Sequence, residues 1–186
     1  MSMYWTSAAL WITWWIYWLI SAQFTARTKS SESWPARMTH LTPLGLAFFL
    51  IFHDPHDAIV YGIAYRVRWV QAVGIAVTAA GLLFAVWARV HLGKYWSAMI
   101  TLKDEHKLIR TGPYRFVRHP IYTGVLIMSF ATALVESRLA GFVGVLLMFA
   151  SFWIKLDIEE RLMLQQFPER YAAYKQRVKR IIPFVL

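Results

Sequence analysis

The stretch IYTGVLIMSFATALVESRLAGFVGVLLMFASFWI, residues 121–154, contains two apolar runs separated only by Glu136, Ser137 and Arg138. A three-residue connection between two such runs forces an antiparallel helical hairpin. Whatever precedes Ile121 and whatever follows Ile154 therefore meet at one end of that hairpin. Each run is short for a full bilayer crossing, so both helices are expected to extend through flanking polar residues. Immediately upstream stands Arg118-His119-Pro120. Proline is tolerated in a first helical turn because its missing N–H would be unpaired there anyway, so Pro120 predicts the helix start. The positive end of that helix then faces whatever the preceding loop, residues 111–119, encloses.

Composition sets the class. The chain of 186 residues is 58% hydrophobic and 17% aromatic, with a mean hydropathy of +0.42, too apolar for an ordinary soluble domain of this length. Its ten Trp suit the lipid–water boundary, where indole rings anchor. The formal net charge of +10 is distributed in basic clusters divided by apolar runs, which marks cytoplasmic flanks rather than a nucleic-acid surface. There is no Cys, which excludes disulfides, thiolate zinc sites and a cysteine nucleophile.

Outward from the hairpin, residues 69–90 form a strong span carrying Gly74, Thr78 and Gly81, a small-residue stripe for close helix packing. Residues 3–24 are an apolar and aromatic run without the basic start or cleavage site of a signal peptide, and read as a retained first span. Residues 27–37 are a short polar linker. The second span, residues 41–52, contains Pro43 and Gly45 and gains length only by extending back to Ala36, with Arg37 and His40 near its end. His53-Asp54-Pro55-His56-Asp57 has metal-ligand residue types, but Pro55 breaks any helix that would converge them, so a hydrated loop and no metal site is expected. After Ile154 the chain reads as helical and basic, broken and restarted at Phe167-Pro168, and its second piece would lie on the membrane surface.

The expectation is an all-α integral membrane protein of about five transmembrane helices with a C-terminal cytoplasmic cofactor-binding region. Residues 1–92 supply three spans and residues 93–186 the catalytic half, within one membrane domain. With the N-terminus outside, seventeen of the twenty Lys and Arg fall in cytoplasmic segments and only Arg66, Arg68 and Arg138 lie outside. Two clusters then share the cytoplasmic face. One ends at Arg118-His119-Pro120-Ile121-Tyr122; the other is residues 155–161. Lys155 and Glu159 lie at i, i+4 on one helix face, and Glu160 points about 100° away. Each cluster alone is compatible with charges that merely fix a helix end.

Their combination carries a resemblance. Gly112-Pro113-Tyr114, then Arg118-His119-Pro120-Ile121-Tyr122-Thr123-Gly124, then Glu159-Glu160, Phe167-Pro168-Glu169-Arg170-Tyr171-Ala172-Ala173-Tyr174 and Ile182-Pro183-Phe184 resemble the isoprenylcysteine carboxyl methyltransferases, whose relatives include the phospholipid N-methyltransferases. The likeness runs from Lys94 onward; the earlier spans match only as hydrophobic segments.

The resemblance implies methyl transfer from S-adenosylmethionine at the membrane, with a gap between helices admitting a lipidic or prenylated acceptor, a carboxylate such as a prenylcysteine C-terminus. By motif, His106, Lys107, Leu108, Ile109, Tyr114, His119, Pro120, Ile121, Tyr122 and Glu160 would hold the cofactor. Lys155, Glu159 and Arg118 would be the catalytic residues, Glu159 lying against the cofactor or the acceptor and Lys155 standing where the family has an arginine that faces the substrate. Lys keeps the charge and loses the bidentate fork. The lipid bilayer is the other expected partner, with neither nucleic acid nor an obligate protein partner. Two further readings stand beside this one: a sterol-reductase-type enzyme using NADPH, for which the chain is short, and a non-enzymatic helical scaffold binding anionic lipids.

Overall fold

The computed structural model describes residues 3–25, 28–31, 33–53, 67–96, 101–103 and 108–186. Among the described residues six α-helices carry the fold: α1 Met3–Ala22, α2 Trp34–Phe52, α3 Arg68–Leu92, α4 Pro120–Glu136, α5 Leu139–Gln166 and α6 Pro168–Arg177. Two short strands, β1 Thr28–Ser31 and β2 Thr101–Lys103, pair antiparallel. This ribbon ties the polar linker after α1 to the long loop after α3, a contact that hydrophobic patterning does not announce. The hairpin is as expected. Pro120 opens α4, Ser137 adopts a left-handed conformation (φ 53°) to end it, and α5 begins at Leu139.

Close backbone approach joins α3 to α4. Gly74, Thr78 and Gly81 are all buried on this seam. A Cβ added at Gly81 would stand 2.8 Å from the Gly124 carbonyl oxygen, and one at Gly124 would stand 2.7 Å from that of Gly81. Neither helix can retreat without opening the interface, so both glycines are required by contact. On the other side, α2 packs along α5. Gly144 lets the Ala47 carbonyl approach there, and the Ser151 hydroxyl donates to the His40 carbonyl at 2.6 Å. Helix α2 starts at Trp34, so the extension back past Ala36 exists, with His40 buried inside it.

Arg138 binds the α4–α5 corner to the end of α2 by donating to the carbonyls of Ile51 and His53. A cation at a helix C-terminus satisfies exposed carbonyls and opposes their partial charge. The core between the layers contains Trp11, Trp14, Ile51, Leu82, Met128, Met148 and Phe152. Trp11 donates from its indole nitrogen to the Thr132 hydroxyl at 2.9 Å, fastening α1 to α4.

Two segments, Arg68–Tyr95 and Leu139–Gln166, are long and apolar enough to cross a membrane, with mean hydropathies of 1.9 and 2.0. Helix α4 is a shorter apolar helix. At 1.5 Å per residue α5 extends about 42 Å, and it passes through Lys155, Glu159 and Glu160 without a break. The helical piece beyond Phe167, expected on a membrane surface, turns its aromatic stripe inward instead. Tyr171 and Tyr174 are buried, because α6 folds back against the loop before α4, where the Tyr174 hydroxyl donates to the Tyr114 carbonyl and the Lys175 carbonyl accepts from Arg118. Of the His-Asp loop after α2, only His53 lies among the described residues.

Gly124→Ala is expected to destabilise the protein by about 1–3 kcal/mol through overpacking. Gly45→Ala, with nothing within 4 Å of the added methyl, should be neutral or stabilising by up to about 1 kcal/mol in a helix. Thermal unfolding of both variants in one detergent checks the contrast.

Candidate active site

The end of the hairpin at which α4 begins and α5 continues past its apolar run is where the chemistry-bearing residues collect. Glu160 is their centre. Its side chain is 2% exposed and accepts from four others: Arg118 at 2.8 Å, His119 Nε2 at 3.1 Å, Lys175 at 3.0 Å and Arg180 at 3.0 Å. Arg118 is further occupied by the carbonyls of Lys175 and Val178. Arg180 also pairs with Asp157 at 2.7 Å. Burial works against the charge of Arg180, yet its hydrogen bonds to Glu160 and Asp157 leave the pKa above its ordinary value. A buried carboxylate is tolerated only when paired and hydrogen-bonded, which these cations and the imidazole accomplish.

The C-terminal tail completes this arrangement through its backbone. Arg118 N–H donates to the Lys179 carbonyl at 2.8 Å, and His119 N–H donates to that of Arg180 at 3.0 Å. The Thr123 hydroxyl donates to the Ile181 carbonyl at 2.7 Å. His119 is therefore held at its main chain by the tail and at its ring by Glu160.

Glu159, one residue earlier and so about 100° around the helix, faces a cavity of about 350 Å³. The Tyr122 hydroxyl donates to Glu159 at 2.6 Å, and Lys155 Nζ lies 3.9 Å from the same oxygen and 5.6 Å from the Tyr122 ring centre. His119 Nδ1 stands 3.8 Å from the other Glu159 oxygen. Tyr114 and Tyr174 close this end, with the Tyr174 hydroxyl donating to the Tyr114 carbonyl. Burial pushes the phenols of Tyr114, Tyr171 and Tyr174 above their usual range, so they remain neutral. Gly112, at φ +60°, permits the turn into this wall; a Cβ there would meet the His91 ring at 2.8 Å.

The rest of the cavity is apolar and comes in large part from the other half of the chain. Trp14, Trp15 and Trp18 of α1 and Leu41, Leu44 and Phe48 of α2 line it, with Val125 and Phe152 from the hairpin. One space thus has a charged end and an aromatic side.

Of the residues singled out in the sequence, Leu108, Ile109, Tyr114, Arg118, His119, Ile121, Tyr122, Lys155 and Glu159 all line this cavity. Pro120 is buried as the first residue of α4 and does not line it. Glu160 lies behind the wall and bears on the cavity through Arg118 and His119. His106 and Lys107 lie outside the described residues. Sequence reasoning misses the α1 and α2 side chains, although the density of Trp in residues 5–18 is an available signal. The tail carbonyls have no signal, because backbone acceptors leave no mark in side-chain identity. Among the described residues no group of His, Asp and Glu could hold a metal ion.

Several known proteins similar to this chain are named as methyltransferases. Protein-S-isoprenylcysteine O-methyltransferase B of Arabidopsis thaliana is 28% identical over 120 residues, covering 63% of this chain and 61% of its own length. A probable protein-S-isoprenylcysteine O-methyltransferase of Oryza sativa subsp. indica is 29% identical over 145 residues, covering 76% of this chain and 75% of its own. Among solved structures, a eukaryotic intramembrane Ras methyltransferase, isoprenylcysteine carboxyl methyltransferase, shares the fold with a TM-score of 0.55 at 23% identity, over 83% of this chain and 54% of that one. The description "Phospholipid methyltransferase" matches residues 69–170. With more than half of the chain so matched, the protein belongs to the phospholipid methyltransferase family, and the isoprenylcysteine methyltransferases are relatives it resembles.

Proposed function

We propose that this protein transfers a methyl group from S-adenosylmethionine to an amphipathic acceptor, a carboxylate on a lipid-like tail such as a prenylcysteine C-terminus, at the cytoplasmic face of a membrane that its helices cross about five times. The observation that carries this reading is the cavity in which Lys155, Glu159, His119 and Tyr122 share a space with Trp14, Trp18 and Phe48. A polar donor set beside an aromatic wall suits an acceptor with a charged head and an apolar tail. The names of the relatives point to the same acceptor class.

The residues present fit the cofactor. A volume of about 350 Å³ lies within the usual range for small-molecule sites, roughly 300–1,000 Å³. Tyr114 and Tyr122 offer aromatic faces, Glu159 is an acceptor for amino or hydroxyl groups, and the N-terminus of α4 suits a carboxylate. Bound there, S-adenosylmethionine supplies a methyl on a sulfonium, which leaves as a neutral thioether when a carboxylate oxygen takes the methyl.

The chain's own residues have little proton chemistry to perform. A carboxylate acceptor is ionised at neutral pH and needs no base. Lys155 attracts and orients it, while Glu159 and Tyr122 limit where that lysine reaches. The apolar walls exclude water, and desolvation together with fixed geometry shortens the route to in-line attack. His119 is aimed into the cavity because Glu160 accepts from its Nε2, which leaves Nδ1 toward the ligand.

Calorimetry with S-adenosylhomocysteine in detergent should show saturable binding. His119→Ala or Glu159→Ala should weaken it several-fold to about tenfold, the loss of roughly 1 kcal/mol per hydrogen bond; no detectable binding to the intact protein would sink the proposal. In a methyl-label assay with a farnesylcysteine acceptor, Lys155→Met should raise the acceptor KM while Lys155→Arg keeps it close to that of the native protein. Glu160→Ala should lower stability by about 3–5 kcal/mol, since it strands buried cations. Glu159→Ala should change it far less, and thermal unfolding of the two variants measures the difference.

A further inference from the structure

The last residues of the chain form a small closed loop. The N–H groups of Ile181 and Ile182 both donate to the Leu186 carbonyl at 2.8 Å, and Leu186 N–H returns to the Ile182 carbonyl at 3.1 Å. Phe184 sits at its tip with φ +66°, a left-handed conformation that is uncommon for a bulky side chain and here turns the ring outward. Phe184 is 90% exposed and Val185 71%. Among the described residues nothing covers these two apolar groups.

Their depth is set by a hydrogen bond. The Thr123 hydroxyl pins the Ile181 carbonyl to the first turn of α4, the level at which the apolar run beginning with Ile121 starts. The loop therefore stands where the chain passes from polar to apolar. A neighbouring rim has the same character. Phe116 is partly exposed, with the Arg115 guanidinium 4.6 Å over its ring and exposed Trp87 of α3 at 6.5 Å. Arg115, Arg177 and Lys179 are exposed cations, and Lys179 bridges by its backbone to Val117 beside Phe116, whereas Lys175 and Arg180 are engaged by Glu160. Aromatic rings beside exposed Arg and Lys match a bilayer's interfacial zone, where rings sit among headgroups and cations meet anionic lipid.

We propose that residues 182–186 seat in the headgroup boundary of the membrane, with Phe184 and Val185 inserted and Arg177 and Lys179 on anionic lipid phosphates or carboxylates. The proposal rests on the reading that the helices cross the membrane. It gives the tail a second role, because the segment that holds Arg118 and His119 by their N–H groups is itself anchored to the lipid surface.

The chain has no Cys, so a single introduced thiol takes a nitroxide label at one place. Labels at Phe184→Cys, Val185→Cys, Leu146→Cys on exposed α5 surface and Glu169→Cys on α6 are compared in nanodiscs of phosphatidylcholine with phosphatidylserine. Relaxation by oxygen should exceed that by a water-soluble nickel chelate at 184, 185 and 146, with the order reversed at 169. If 146 is lipid-exposed while 184 and 185 behave like 169, the inference fails and the membrane reading survives. If 146 is also aqueous, the membrane reading itself fails. Shielding of 184 from both reagents would show a protein cover and overturn the proposal. Replacing Arg177 and Lys179 together by Glu should lower the oxygen preference at 184 in these discs but not in phosphatidylcholine alone; an unchanged preference would remove the anionic-lipid part.

Discussion

A carboxylate buried among cations organises one end of this molecule. Glu160 carries its charge into a site from which water is nearly absent, and it is stable there only while Arg118, His119, Lys175 and Arg180 surround it. Those four come from the loop before α4, from α6 and from the tail. Satisfying one charge therefore brings three segments together, and the position of His119 follows from that. Separation of function along one helix is the result: Glu160 holds the wall together, and Glu159, about 100° around the helix, faces the cavity.

The charged cluster could not form if the helices beneath it were differently spaced. Contact between Gly81 and Gly124 draws α3 and α4 together at backbone distance, and α5 returns beside α4 after a two-residue corner. Because α5 is about 42 Å long, it overreaches the end of α4 and carries Lys155, Glu159 and Glu160 over the site. A helix stopping at Ile154, where the apolar run ends, would leave the pocket without Lys155 and Glu159. The polar extension of a long apolar helix is thus the element that makes a site out of a hairpin.

Much of the cavity wall belongs to α1 and α2, which pack on the hairpin from outside. Their contribution is aromatic and aliphatic surface, with no charged side chain from either helix among the lining residues. That division suits an amphipathic ligand, because the charged end is built from the segments that bear the motifs and the apolar end from helices that only need to be large and hydrophobic.

By itself the sequence determined the elements. Pro120 had to open a helix because it lacks an N–H, Glu136-Ser137-Arg138 could only join antiparallel partners, and the glycine stripe of α3 was legible as a contact face. The motif residues were also legible, since Arg118, His119, Tyr122, Lys155 and Glu159 flank the hairpin at one end and all line one cavity. What only the tertiary structure decided was how each faces. Glu159 and Glu160 are chemically the same residue type, and the environment alone turns one toward the cavity and buries the other among cations. The strap of residues 179–181 across the motif, the β1–β2 ribbon and the choice of Trp14, Trp18 and Phe48 for the wall arose equally from long-range packing. Backbone carbonyls have no side-chain signature, and a Trp in an apolar helix looks alike in sequence whether it faces lipid, core or ligand.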